Sequence, residues 1–317
     1  MKVERFVGAN LNQQEKKNAQ DHYRRRFEGS NFSVRAAEMI EKERQKTPEE
    51  VVAISLANDV VGEFVSQYGI SAIKIPENNH HFLNEEDWSL DGAGAFYDQN
   101  EQRIFYCHDS SLSKMFVTII HEMIHFNSHQ AVWVDKKEID ENTINIRFSN
   151  YRVGWDTMSL KEKNKTLFTE FNEGLTEYIV KFLWQKVFNN PLFSKELKET
   201  NLCKNDLEKI DALRYIVDDS DFYWISKTPG KEKSWDISGF NFIDNRRAIS
   251  LLVDKICIKF PNLDNNEVFQ IMIRGMFNGN MLPFARIIKK CFGAKAIRQI
   301  AEANSGTNLL EVVEKLN

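Results

Sequence analysis

His121, Glu122 and His125 stand inside the stretch Met115 to Gln130, MFVTIIHEMIHFNSHQ. On a helix, His121 and His125 share a face one turn apart. Glu122 projects about 100° from His121 and about 60° from His125, so all three groups converge on one side. In this H-E-x-x-H spacing two imidazoles can hold a zinc ion, while the glutamate between them acts as general base toward water. The other residues of the stretch, among them Met115, Phe116, Val117, Ile119, Ile120, Met123, Ile124 and Phe126, are apolar on almost every side, which predicts a buried helix. Uncompensated polar groups in such a helix cost several kcal/mol, so the pattern requires a partner for them.

A second constellation lies downstream, in Glu170-Phe171-Asn172-Glu173-Gly174-Leu175-Thr176-Glu177-Tyr178. Glu173 and Glu177 share a helix face, and Phe168, Phe171, Leu175, Ile179 and Val180 around them predict that the helix is largely buried. Gly174 costs this helix about 1 kcal/mol relative to alanine. A glycine here permits another helix to approach closely, as a metal bond from this helix would require. A catalytic zinc takes three protein ligands and keeps one position open.

Asn172, Glu173, Thr176 and Glu177 resemble the N-E-x-x-S-D motif that follows H-E-x-x-H in the gluzincin metallopeptidases, with Thr for Ser and Glu for Asp. The resemblance implies one zinc per chain, held by His121, His125 and Glu173, with Glu122 as the base. It implies that Glu177 holds the free N–H of a ligand histidine and that Asn172 supports the site. It also implies a peptide or protein substrate laid along an edge strand, for which Gly94, Ala95, Phe96 and Tyr97 are the expected residues, and an endopeptidase more than an aminopeptidase. Two departures stand out. The gap from His125 to Glu173 is longer than in thermolysin, and no histidine follows His129. Thermolysin uses a downstream histidine to stabilise the transition state; here Tyr151, in the inserted segment, is the first choice for that donor and Arg246 the second.

Other assignments fit less well. A metzincin needs H-E-x-x-H-x-x-G-x-x-H, but Ser128 and Ala131 occupy the last two positions. His129, Asp135, Asp140 and Asp156 are weaker alternatives for the third ligand. A non-catalytic zincin-like regulator or binding module would share the ligands, as would a hydrolase of non-peptide amides or esters. An intact Glu122 favours an enzyme, because a structural metal site has no need of a base.

The elements that must position these residues can be read along the chain. Met1 to Lys46 is polar and charged, densest at Tyr23-Arg24-Arg25-Arg26, and reads as a solvated helix face or arm. Thr47-Pro48-Glu49-Glu50 is a capping box that starts a helix to about Gln67, ended by Gly69. Ile70 to Ile75 predicts a strand. His80 and His81 are adjacent and cannot share a face, which predicts surface positions in a loop. Gly94 to Tyr97 and Arg103 to Cys107 predict a hairpin. Ser110 or Ser111 can cap the buried helix. Ile144 to Val153 predicts a strand ended by Gly154, Lys161 to Phe188 a long helix, and Asp218 to Gly239 an irregular stretch whose Phe222, Tyr223, Trp224 and Trp235 pack or wall a cleft. From Asp244 onward, the runs to Phe260, Asn265 to Phe277, Leu282 to Phe292, Ala294 to Ala303 and Asn308 to Leu316 predict helices.

The expected architecture is therefore α+β. A charged arm over 1–46 precedes a zincin-like upper subdomain over 47–157, with a small mixed sheet and the H-E-x-x-H helix. A helical lower subdomain over 158–317 carries the third ligand. The 317 residues are ample for a sizeable core, and 42% hydrophobic with 28% charged residues is ordinary for a globular protein. A net charge of -4 argues against nucleic-acid binding over the whole surface. There is no apolar run of membrane-span length and no signal-peptide h-region. Four cysteines, Cys107, Cys203, Cys257 and Cys291, without C-x-x-C pairing, predict reduced thiols and a cytoplasmic protein.

Overall fold

The computed structural model describes residues 3–30, 32–88, 90, 94–108, 111–140, 143–160, 162, 165–198, 223–227, 235–303 and 308–317. The architecture is mixed, with small sheets set among helices, as expected for an α+β chain. In order it runs β1 (Arg5–Gly8), α1 (Gln13–Phe27), α2 (Val34–Glu41), α3 (Pro48–Ser66), β2 (His80–Leu83), β3 (Ala95–Asp98), β4 (Arg103–Cys107) and α4 (Leu112–Asn127). There follow β5 (Gln130–Asp140), β6 (Thr143–Val153), β7 (Asp156–Met158), β8 (Thr166–Leu167), α5 (Thr169–Val187), β9 (Tyr223–Lys227) and β10 (Trp235–Gly239). The chain closes with α6 (Ile243–Lys259), α7 (Asn265–Asn278), α8 (Leu282–Phe292), α9 (Ala296–Glu302) and α10 (Leu309–Glu314). Among the described residues no helix is long and apolar enough to cross a membrane.

The main apolar core gathers around α4. Phe116, Ile119, Ile120, Met123, Ile124 and Phe126 of that helix pack with residues of α3, α5, α6 and α7. Its start is doubly fixed. The Ser111 hydroxyl accepts from the Lys114 amide, and the Glu196 carboxylate accepts from the Leu112 and Ser113 amides and from both serine hydroxyls. A carboxylate on these free N–H groups also complements the helix dipole. Helix α3 begins as its sequence predicts: Thr47 Oγ1 accepts from the Glu50 amide at 3.2 Å and the Glu50 carboxylate accepts from the Thr47 amide at 2.8 Å.

The hairpin β3–β4 forms as expected, and β4 also pairs in parallel with β2, giving the order β2-β4-β3. Among the described residues, strand β3 is thus an edge. A second sheet, β1-β5-β6-β7-β8, contains the long hairpin β5–β6 that fills the gap between His125 and Glu173.

Several local expectations are corrected. Ile70 to Ile75 is irregular, because side-chain amides take the place of a ladder: Asn58 bonds both the N–H and the C=O of Ile75, and Asn127 accepts from the Ile73 amide. The strand lies later, at β2, and it buries His80 and His81 instead of exposing them. They do face opposite sides, but both sides are covered. His80 Nδ1 meets the Tyr106 hydroxyl at 2.9 Å, while His81 bonds Glu43 at 2.7 Å and Arg103 at 2.9 Å. Burial pushes the His80 pKa down to about 3, so its ring is neutral.

The first 46 residues are tied into the fold. Strand β1 pairs in parallel with β5, Tyr23 is buried against Phe6 and Phe148, and Arg26 is ion-paired with buried Glu101. Helix α5 starts at Thr169, later than Lys161, because Thr166–Leu167 pairs with β7 and the Phe168 amide donates to the Ala301 carbonyl at 2.7 Å. Residues 223–227 and 235–239, expected to be irregular, pair as antiparallel strands. The role expected for their aromatic side chains, and Phe222 itself, lie outside the described residues, as does Cys203; Cys257 and Cys291 are free thiols.

Candidate metal centre

Helix α4 presents one stripe to a cleft of about 1050 Å³: Lys114, Val117, Thr118, His121, Glu122 and His125. These positions recur at three- and four-residue steps, so one face lines the cleft while the rest of the helix is core. Helix α5 crosses beside it and contributes Asn172, Glu173 and Glu177. His121 Nε2 and His125 Nε2 are 2.9 Å apart, and Glu173 Oε2 lies 3.2 Å from the first and 3.5 Å from the second. Two imidazole nitrogens and one carboxylate oxygen thus aim at a common point, and the group could hold a metal ion.

The surroundings fit a cation. Glu122, Glu173 and Glu177 are three carboxylates crowded against two imidazoles, and Glu122 and Glu177 are buried. With neutral imidazoles the cluster carries three negative charges, which a divalent ion offsets far better than water can in a buried site. Glu177 Oε1 is 2.7 Å from His121 Nδ1, and its other oxygen is buried without a hydrogen-bond partner among the described residues. That contact directs Nε2 of His121 toward the common point. Asn172 Oδ1 accepts from the Trp155 amide at 2.9 Å and its Nδ2 lies 3.4 Å from His125 Nδ1. Gly154, at φ 62°, makes room for this amide, since a Cβ there would stand 2.6 Å from Asn172 Oδ1.

Burial works against charge at His121, Glu173 and Glu122, and the neighbours outweigh it at the first two. At His121 the carboxylates of Glu173 and Glu177 outweigh burial and hold the imidazole pKa well above its ordinary range. At Glu173 the imidazoles outweigh burial and hold the carboxyl well below the usual range. Glu122 goes the other way: burial raises its pKa despite the pull of both histidines. The Tyr97 backbone pulls it in the same direction as the histidines. A carboxylate poised in this way is suited to take up and give back a proton.

Strand β3 borders this cleft. Gly94, Ala95, Phe96 and Tyr97 line the cleft. The Cys107 amide bonds the Gly94 carbonyl, so in the alternation of an antiparallel pair the main-chain groups of Ala95 and Tyr97 point away from β4. Tyr97 is anchored by its hydroxyl, which donates to Gln130 at 3.0 Å.

Tyr151 lines the cleft from β6, with its ring 6.0 Å from that of Trp133. Arg246 is not among the described residues that line it. It is 2% exposed, lies over the Phe240 ring and donates from Nε to the Asn241 carbonyl. Of the alternative ligands, His129 packs its ring against Gly279, Asp135 is exposed and bonds Trp133, and the Asp140 side chain lies outside the described residues. Asp156 lines the cleft beside the metal group, and burial together with the Glu173 charge raises its pKa to about 6. Gly174 does serve a close helix approach, but its partner is Asn245 of α6, not α4.

The sequence reading missed Phe242. It precedes α6 at φ 52°, lines the cleft and stacks on His121 with centroids 6.1 Å apart. Left-handed backbone costs a residue with a Cβ about 1–2 kcal/mol. No local sequence signal marks it.

Glu177→Ala should weaken the affinity of this group for a divalent metal ion about 10–100-fold, the usual effect of freeing a metal-binding histidine from its partner. A chelator titration reads this directly, and an unchanged affinity would remove Glu177 from the site.

Compared with protein-family profiles, curated proteins and solved structures, the chain matches none of them.

Proposed function

We propose that this chain is a zinc-dependent metallopeptidase that hydrolyses peptide bonds. The observation that carries the reading is the convergence of His121, His125 and Glu173 on one point, with Glu122 beside them in a cleft bordered by a free strand edge. A histidine, histidine, carboxylate set suits zinc, a borderline-soft ion that accepts nitrogen and oxygen donors. The organisation supports a zincin-like reading of the gluzincin kind: α4 packs beneath the small sheet, β3 forms its edge, and α5 supplies the carboxylate.

When bound, zinc supplies Lewis acidity, which polarises a carbonyl and makes water far more acidic. Glu122 accepts the proton of the attacking water and delivers it to the departing amine. Its buried position on the cleft-facing side of α4 holds it for both transfers. Glu177 and Asn172 keep the two imidazoles oriented. An extended peptide adds to the outer edge of β3 through the main-chain groups of Ala95 and Tyr97. Tyr151, which lines the cleft from β6, is the candidate to donate to the developing oxyanion.

The test is metal content together with cleavage of a peptide library. The purified chain should hold about one zinc and cleave some members; a strong chelator should stop cleavage and added zinc should restore it. Cleavage that survives complete zinc removal would overturn the reading.

A further inference from the structure

Strand β3 and the metal helix are joined by buried side chains that carry no charge. Tyr97 puts its main-chain groups on the open side of β3, while its ring meets that of Phe126 in α4, with centroids 5.2 Å apart. The Tyr97 hydroxyl donates to Gln130 Oε1 at 3.0 Å and accepts from Gln102 Nε2 at 2.8 Å. Gln130 carries the connection on, because its Nε2 donates at 2.8 Å to the carbonyl of Phe126, the residue after His125. The residue whose backbone faces the cleft is therefore tied, at the tip of its side chain, to the last turn of the helix that presents the metal ligands.

The other end of this link is braced. Gln102 is fully buried and left-handed, at φ 55°, a region that a residue with a Cβ enters only at a cost. Its Nε2 also donates to the Gln99 carbonyl at 2.8 Å. Its own carbonyl accepts from Asn79 Nδ2 at 3.1 Å, and the same amide reaches the Phe27 carbonyl at 3.0 Å. A disfavoured backbone held from several sides points to use of the side chain it aims. Here the amide is aimed at the Tyr97 hydroxyl. Burial lifts the Tyr97 pKa well above its ordinary value, so the hydroxyl keeps its proton and goes on donating. An apolar contact could fill the same space, but it would let strand and helix slide; directional bonds in a buried network specify one separation.

We propose that Tyr97, held between Gln102 and Gln130, is a positioning residue that fixes the outer edge of β3 relative to the metal group, so that the edge is already ordered when an extended peptide pairs with it. The proposal rests on the peptidase reading for the peptide, but not for the link between strand and helix. An edge ordered in advance spares the peptide the cost of ordering it. That saving is the same in the bound substrate and in the transition state, so its loss raises KM and leaves kcat alone.

The test is Tyr97→Phe in the full-length, zinc-loaded chain, which removes the hydroxyl and keeps the ring on Phe126. Hydrogen exchange of amides 95–98, read by mass spectrometry, should become at least about tenfold faster, with exchange of 115–126 and zinc content unchanged. For a hexapeptide found by library cleavage with the parent, KM should rise about tenfold and kcat should change by less than about threefold. In the Glu122→Gln background the Kd of the same peptide, read by fluorescence anisotropy, should rise by a similar factor. Ile54→Val, in the core under α3, is the control for lost stability alone: it should lower the melting temperature and leave KM and the exchange of 95–98 as they are. Gln102→Gly serves if Tyr97→Phe does not fold, because glycine adopts the left-handed backbone freely; it should move exchange and KM the same way, about threefold. Unchanged exchange of 95–98 in a folded variant overturns the proposal. So does a loss confined to kcat, which would put the hydroxyl in the chemistry instead. Cleavage with KM unchanged in a folded variant overturns the positioning role and leaves the peptidase reading standing. Faster exchange of 95–98 in a chain whose parent cleaves no peptide supports the link and overturns the peptidase reading.

Discussion

Replacing Glu122 by glutamine should lower kcat by at least about a hundredfold, the lower bound for losing a positioned general base, while zinc content stays at the parental level. The two effects separate because of where the side chain lies. Glu122 is outside the group formed by His121, His125 and Glu173, so the metal donors remain. Glutamine has the same shape and fills the same buried place. Burial already disfavours the charged form of Glu122, so a neutral side chain should not lower the melting temperature. Only the ability to receive a proton is lost. The measurement is steady-state cleavage of a peptide found with the parent, alongside metal analysis and a thermal melt. A folded, zinc-loaded variant that keeps more than about a tenth of the parental rate would remove Glu122 from the chemistry.

The parts of the molecule that could be read in the sequence are those fixed by neighbours a few positions away. Thr47 and Glu50 cap α3 within one turn, and the alternation around Tyr97 and Phe105 yields the hairpin. Helical spacing places His121 with His125, and Glu173 with Glu177, whatever the rest of the chain does. That α4 and α5 face each other needed a further step, the resemblance of two short motifs to one family. What stayed hidden depends on distant partners. His80 and His81 are buried because Tyr106, Glu43 and Arg103 arrive from other elements. Arg246 sits on the expected helix, yet Phe240 and Asn241 draw its guanidinium away from the cleft. The polar composition of the first 46 residues gave no hint that β1 completes an edge of the larger sheet.

Glycines show the same division, and they give the second large effect. Gly62 in α3 and Gly174 in α5 are both mid-helix, and propensity alone predicts that alanine stabilises each by about 1 kcal/mol. The structure assigns them opposite signs. A Cβ on Gly62 meets nothing nearer than the Ala72 Cβ at 3.9 Å. A Cβ on Gly174 would stand 2.8 Å from the Asn245 carbonyl oxygen and 2.9 Å from its carbon. Those are backbone atoms, so no rotamer change relieves the clash and α5 must move away from α6. Asn245 is itself buried and donates to Glu170 at 2.6 Å, which resists the shift. Overpacking of this kind costs about 1–3 kcal/mol or more, enough to cancel the gain in propensity and exceed it. The displaced residue next along the helix is Glu173, and a metal constellation tolerates only about 0.5 Å of misplacement. Gly174→Ala should therefore unfold at lower denaturant than the parent and bind zinc about tenfold or more weakly, while Gly62→Ala should be more stable with zinc affinity unchanged. Urea melts and a chelator titration on the two variants read both quantities. If Gly174→Ala is as stable as the parent and holds zinc as tightly, the close packing of α5 on α6 is not what positions Glu173.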